Sequence, residues 1–258
     1  MIVPQLMNAE QLIIIIICVI VAAKAISLMR RKYNDYLTNR HSEQCKALLK
    51  KLYQNIDTFE ISLRHRKQEN ITGNEYTYGE IIYSSFVEML AFVQPKQNEI
   101  FYDLGCGGGK AVFTTALLYP NIIVRGVESL PPLHDLCQNL QTSLQKMMQD
   151  KVYFKHHPLN VEFIPGDLSA INFSDANIIY LNVTCFGTDL WSLICEKLET
   201  VPFNARVIMT SKSLTSKNFE LIYQQSHLMS WGYNTVNIYV KKAASGNPTA
   251  GEITSYIQ

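Results

Sequence analysis

The segment Asp103–Lys110, DLGCGGGK, constrains the fold more than any other part of the chain. It follows the apolar run IFYDL at Ile100–Leu104 and opens a helical stretch at Ala111–Leu118. Glycines at 105, 107 and 109 let the backbone turn sharply and let a ligand approach where a Cβ would clash. A helix starting directly behind such a turn offers free N–H groups and the positive end of its dipole. A glycine turn between strand and helix serves nucleotide cofactors of several kinds. It is not a Walker loop, because the G-x-x-x-x-G-K-[ST] spacing is missing and Lys110 is followed by Ala111.

The rest of the chain repeats the alternation. Strands are predicted at Ile100–Leu104, Ile122–Glu128, Val161–Asp167, Asn177–Asn182, Arg206–Ser211 and Asn234–Lys242. Helices are predicted at Tyr83–Val93, Ala111–Leu118, Leu133–Met148 and Leu190–Leu198. Short apolar strands separated by helices imply an α/β fold, a parallel sheet with helices on both faces. Upstream, Leu48, Leu52, Ile56, Phe59 and Leu63 recur at helical spacing and predict one amphipathic helix, with Ser42 as its N-cap. The basic residues around that face fit a solvated surface, with anionic headgroups as the alternative contact. The small, polar tail from 243 to 258 reads as disordered.

Residues 11–29 are strongly apolar, interrupted by Lys24 and followed by Arg30, Arg31 and Lys32. At helical rise they span roughly 28 Å, about one hydrocarbon core. The expectation is a single-pass transmembrane anchor, with the C-terminal bulk of the chain cytoplasmic because the basic residues lie on that side of it. A cleaved signal peptide lacks its basic leader here, and a buried core helix is the other reading. The domain plan is then an anchor at 11–29, a helical juxtamembrane and lid region at 30–95, a binding domain at 96–242 and the tail.

Composition narrows the partners. Charged residues are 17% of the chain, and 23 basic residues balance 22 acidic ones for a net charge of +1. That balance removes the global electrostatic case for direct nucleic-acid binding. The six cysteines form no C-x-x-C pair, which excludes zinc-ribbon and thioredoxin patterns and fits a reducing compartment. No metal site is expected. His156 and His157, just before Pro158, fit a surface loop better than a ligand pair.

Three acids surround the glycine loop. Glu128 ends the second strand, where a carboxylate can accept bonds from both ribose hydroxyls. Asp167 closes the third strand and can accept from an adenine amino group. Asp103, just before the glycines, suits a cationic amino-acid end. Such acids would repel a pyrophosphate, so they favour a zwitterionic sulfonium, S-adenosyl-L-methionine, over a dinucleotide. The fourth strand ends in LNVTCFG at Leu181–Gly187, which lacks the proline pair common in base-methylating enzymes.

YGE at Tyr78–Glu80, FYDLGCGGGKAV at Phe101–Val112, GVESL at Gly126–Leu130 and NVTCFG at Asn182–Gly187 occur in that order. Together they resemble the DOT-one family (disruptor of telomeric silencing), non-SET histone-lysine methyltransferases with a Rossmann-like seven-strand sheet. The resemblance covers about residues 76 to 240. It implies that Tyr78 and Glu80 belong to a loop closing over the cofactor's amino-acid end, which Asp103 and the run Gly105, Gly107, Gly109 and Lys110 cradle. It implies Glu128 on the ribose, and Asp167 with Leu168 on the adenine. Asn182 and Phe186 would line the lysine channel, with Tyr239, or Ile238, as a late aromatic counterpart. Val183 and Thr184 depart from the family's NNFxFG. The implied activity is methyl transfer to a lysine side chain of a protein, a histone or a membrane-proximal one. The alternatives are a methyltransferase for a small molecule or lipid at the membrane surface, and a non-enzymatic cofactor-binding module.

Overall fold

The computed structural model describes residues 38–73 and 79–243, together with Lys24 and Met29. The chain divides into two compact units, Met1–Ala47 and Leu48–Gln258. In the first, residues 38–47 are helical. Ser42 therefore lies inside a helix and is not its N-cap.

The second unit is built on a seven-stranded sheet. Its strands are β1 (Ile100–Leu104), β2 (Ile123–Glu128), β3 (Val161–Pro165), β4 (Ile178–Asn182), β5 (Arg206–Thr210), β6 (Phe219–Met229) and β7 (Gly232–Lys241). The spatial order is β3-β2-β1-β4-β5-β7-β6. β1 to β5 run parallel, and β7 is antiparallel to both of its neighbours. The helices are α1 (Thr58–Gln68), α2 (Tyr83–Val93), α3 (Lys110–Leu118), α4 (Pro131–Gln149) and α5 (Thr188–Leu198).

Alternation along the strands sends side chains to two helical layers. Tyr102, Leu104, Ile179, Leu181, Val207 and Met209 join Ile194 and Leu198 of α5 in one buried layer. Phe101 and Tyr180 point the other way and meet Phe86 of α2, with ring centroids 6.4 and 5.0 Å apart. On that same side Phe163 of β3 packs edge-on against Phe113 of α3 at 5.3 Å. The expected α/β sheet with helices on both faces is observed, but it is mixed rather than parallel, because β7 runs antiparallel between β5 and β6. Strand order reverses between β1 and β4, both carboxyl ends facing the same edge, which is where open α/β sheets bind ligands.

β6 has no counterpart among the predicted strands. Its sequence, FELIYQQSHLM, does not alternate cleanly, because it forms the sheet edge and carries a register shift between Leu221 and Tyr223. The single amphipathic helix is also corrected. The chain turns at residues 53–57, with Asn55 at φ 66°, and restarts at α1, where the Asp57 carboxylate accepts from the Glu60 N–H at 2.9 Å. Phe59, expected inward, is 52% exposed, and the buried residues of α1 are Thr58 and Ser62.

The segment read as a transmembrane anchor lies, apart from Lys24 and Met29, outside the described residues, as does the tail beyond 243. Among the described residues no helix is long and apolar enough to cross a membrane. On that finding the expected single-pass membrane placement, with its cytoplasmic catalytic domain and its membrane contact, is withdrawn.

Candidate cofactor and methyl-transfer site

A cleft opens at the carboxyl ends of the parallel strands, with a free volume of about 810 Å³ that includes solvent at its mouth. The β1 end contributes Leu104, Gly105, Cys106 and Gly107, and the β2 end contributes Glu128 to Leu130. Asp167 and Leu168 follow β3, Asn182 ends β4 and Phe186 follows it.

The glycine loop is held from below by Glu128. One carboxylate oxygen accepts the Gly107 N–H at 2.7 Å and the other accepts the Leu130 N–H at 2.8 Å. Burial raises its pKa, and those two backbone donors work against the rise. Gly105 has φ 87° and nothing within 4 Å of a Cβ built on it, so the backbone there is bare toward the cleft. Gly109 differs: at φ 77° it precedes α3, and a Cβ would meet Cys137, Phe113 and Phe163 at 3.1–3.2 Å. Its glycine serves packing beneath the loop.

Asp103 is 3% exposed and is not among the residues that line the cleft, although its neighbour Leu104 is. Burial, and then the charge of Glu128, push its pKa well above the ordinary carboxylate range. A cation placed nearby would favour its ionised form.

Two expected cofactor contacts are occupied otherwise. Both Glu80 carboxylate oxygens are taken, one by the Thr58 hydroxyl and one by the Lys110 ammonium. Lys110 also lies 5.1 Å from the Tyr53 ring centroid, and Tyr53 donates to the Gly108 carbonyl at 2.6 Å. These groups tie α1 and the glycine loop to the YGE segment, of which Gly79 reaches the cleft wall. Tyr78 lies outside the described residues.

At the β4 end the side-chain oxygen of Asn182 accepts from the Thr210 hydroxyl at 2.6 Å, the Thr184 hydroxyl at 2.7 Å and the Thr184 N–H at 3.4 Å. These donors pin the amide with its Nδ2 as the remaining polar group. Phe186 is fixed through its carbonyl, which accepts from the Lys212 ammonium at 2.6 Å.

Tyr239 does not join this group. It pairs with Val207, near the start of β5, so the antiparallel β7 carries it away from the carboxyl edge. Its side chain is buried in the core and its hydroxyl accepts the Leu214 N–H at 3.1 Å. Ile238, opposite Ile208, is fully buried in the other layer. The β6–β7 turn brings Trp231 near the cleft instead. Its ring would meet a Cβ on Gly79 at 2.6 Å, and the Glu80 N–H donates to the Ser230 hydroxyl at 3.0 Å. Sequence reasoning missed Trp231, Thr210, Lys212 and Ser62. The adjacent Trp231 and Gly232 were the only local signal, a bulky aromatic beside a turn residue.

Comparison with known proteins agrees with this geometry. The family model described as "Histone methylation protein DOT1" matches residues 58–245. A curated relative from Dictyostelium discoideum, "Histone-lysine N-methyltransferase, H3 lysine-79 specific", is 24% identical over 189 residues, 71% of this chain. The matched region spans 9% of that relative's own length. Among solved structures, the putative methyltransferase yhhF from Escherichia coli has a TM-score of 0.50 at 13% identity, over 62% of this chain and 87% of its own. An RNA methyltransferase from Salinibacter ruber, in complex with S-adenosyl-L-homocysteine, has a TM-score of 0.47 at 17% identity, over 64% of this chain and 95% of its own.

Proposed function

Because the chain belongs to the DOT1 histone methylation protein family, we propose that it is an S-adenosylmethionine-dependent protein-lysine N-methyltransferase. The observation that carries this reading is the convergence of Gly105, Gly107, Glu128, Asp167, Leu168, Asn182 and Phe186 on one cleft at the switch point of the sheet. The curated relative's name makes a histone lysine the first substrate to try.

The donor set fits S-adenosylmethionine. Glu128 offers carboxylate oxygens for a ribose, Asp167 and Leu168 border the adenine end, and the bare Gly105 admits close approach. Asp103 places a latent negative charge beneath the loop for a cationic amino-acid end. When bound, the cofactor supplies an electrophilic methyl on a sulfonium. The protein's part is to hold and orient the target amine, worth several orders of magnitude when geometry is good. A lysine is protonated near neutral pH and must lose a proton before it attacks. Phe186 and Leu190 give the cleft an apolar side that disfavours the ammonium. The pinned Asn182 amide fixes the orientation of polar groups at the same end. Trp231 lies against Gly79, which lines the cleft.

The test is transfer of label from methyl-labelled cofactor to the protein, lipid and nucleic-acid fractions of a cell extract. Label in the protein fraction, lost on Asn182→Ala with retained cofactor binding, is the expected result. Label confined to the lipid or small-molecule fraction would replace this reading with the alternative methyltransferase.

A further inference from the structure

Helix α1 buries the wrong residues for a helix that merely packs. Its apolar side chains Phe59 and Leu63 are exposed or half-buried, while Thr58 and Ser62, one turn apart, are 4% and 1% exposed. The Thr58 hydroxyl is used, donating to Glu80. The Ser62 hydroxyl is buried and has no hydrogen-bond partner among the described residues. A helical serine or threonine normally has a ready acceptor in the carbonyl four residues back. Thr114, Thr115, Thr142 and Ser143 each use that acceptor, at 2.7, 2.8, 3.1 and 2.9 Å. Ser62 does not. It lines the cleft instead, together with Gly79, Gly105, Glu128, Leu130 and Leu133.

A buried hydroxyl left unpaired is unfavourable, and native proteins keep few of them without a reason. We propose that Ser62 is a cofactor-contacting residue, its hydroxyl waiting for a polar atom of the adenosyl amino-acid ligand. The inference rests on the cleft being the S-adenosylmethionine site. It gives α1, which packs on α4, a direct part in binding. It also accounts for the polar buried stripe: Thr58 anchors the YGE segment through Glu80 while Ser62, one turn further on, meets the ligand.

Ser62→Ala in the full chain separates a ligand contact from a packing role. Titration calorimetry with S-adenosylhomocysteine should show about fivefold to tenfold weaker binding, the loss of one ordinary hydrogen bond. The thermal midpoint of the free protein should stay level or rise, since no partner is lost within the protein. Adenosine as a second ligand locates the contact. An equal weakening puts the partner atom on the nucleoside, and weakening seen with S-adenosylhomocysteine alone puts it on the amino-acid end. Wild-type binding with an unchanged affinity in Ser62→Ala would overturn the Ser62 role while leaving the cofactor site standing. Failure of the wild type to bind S-adenosylhomocysteine would overturn both.

Discussion

Glu128→Gln tests whether one carboxylate both shapes the glycine loop and serves the ligand. Gln is nearly isosteric, so packing around a residue 7% exposed is kept. In the wild type the two oxygens accept N–H groups of Gly107 and Leu130 at 2.7 and 2.8 Å. Gln has one accepting oxygen, so its amide group must face one of those donors. A buried N–H left without a partner costs about 1–3 kcal/mol, and the surviving bond loses its charge assistance. Against that, the buried negative charge disappears, and the raised pKa of Glu128 says that burial already opposes it. The net expectation is a loss of about 2 kcal/mol, roughly 4–8 °C in thermal midpoint for a unit of this size. Affinity for S-adenosylhomocysteine should fall about 10–100-fold, because a charged acceptor for the ribose is lost as well. Calorimetry and thermal scans measure both, with Glu162→Gln as the control. Glu162 pairs with Arg125 at 2.9 Å on a side chain 59% exposed, so its loss should change little. A Glu128→Gln protein with wild-type midpoint and wild-type affinity would refute the reasoning.

Two further outcomes follow from the same site. Thr210→Val removes a donor to the Asn182 amide without changing the shape of a fully buried side chain. Turnover should fall about tenfold with cofactor affinity held within twofold, Thr210→Ser should restore it, and Thr210→Val should add nothing in an Asn182→Ala background, since one hydrogen bond is then already gone. Asp103 makes cofactor binding depend on pH. Its free-state pKa is raised by burial and by Glu128, so it carries a proton well above the usual carboxylate value of about 4. A bound cation favours the ionised form, so binding releases a proton and tightens as pH rises through that window. The same raised pKa makes the free protein lose stability as pH climbs from the ordinary value to the raised one. Calorimetry in buffers of different ionisation enthalpy measures the proton release, and Asp103→Asn should abolish it. An unchanged release in that variant would place the proton elsewhere.

Much of this was legible in the sequence, for local reasons. β1, β2, β4 and β5 are short apolar runs bounded by turn residues, and the glycine turn sits where strand meets helix, so pattern alone located them within a residue or two. The residues at strand ends followed, because the parallel strands put their carboxyl ends on one edge: Glu128 and Asn182 each close a strand, and Asp167 lies two residues past the end of β3. What failed depended on partners distant in the chain. β6 exists because β7 offers it a pairing edge, and its glutamines face solvent without spoiling the strand. Tyr239 was expected at the cleft, but β7 runs antiparallel, and only the sheet order reveals that its later residues point away. Phe59 and Leu63 suggested the buried face of one long helix. The turn at residues 53–57 rotates α1 so that Thr58 and Ser62 face inward, and no periodicity in the apolar residues announces that. Glu80 and Lys110 neutralise each other, a pairing across 30 positions that the YGE motif alone does not disclose.

The most direct measurement is the chemical identity of the methylated product. The full chain is incubated with methyl-labelled S-adenosylmethionine and histone octamers or nucleosomes, the protein is recovered, and its acid hydrolysate is resolved into methylated amino acids. The account predicts label eluting as N-methylated lysine, absent with Asn182→Ala. Label on another amino acid, or a hydrolysate free of methyl-lysine while label accumulates in lipid or small molecules, would contradict it.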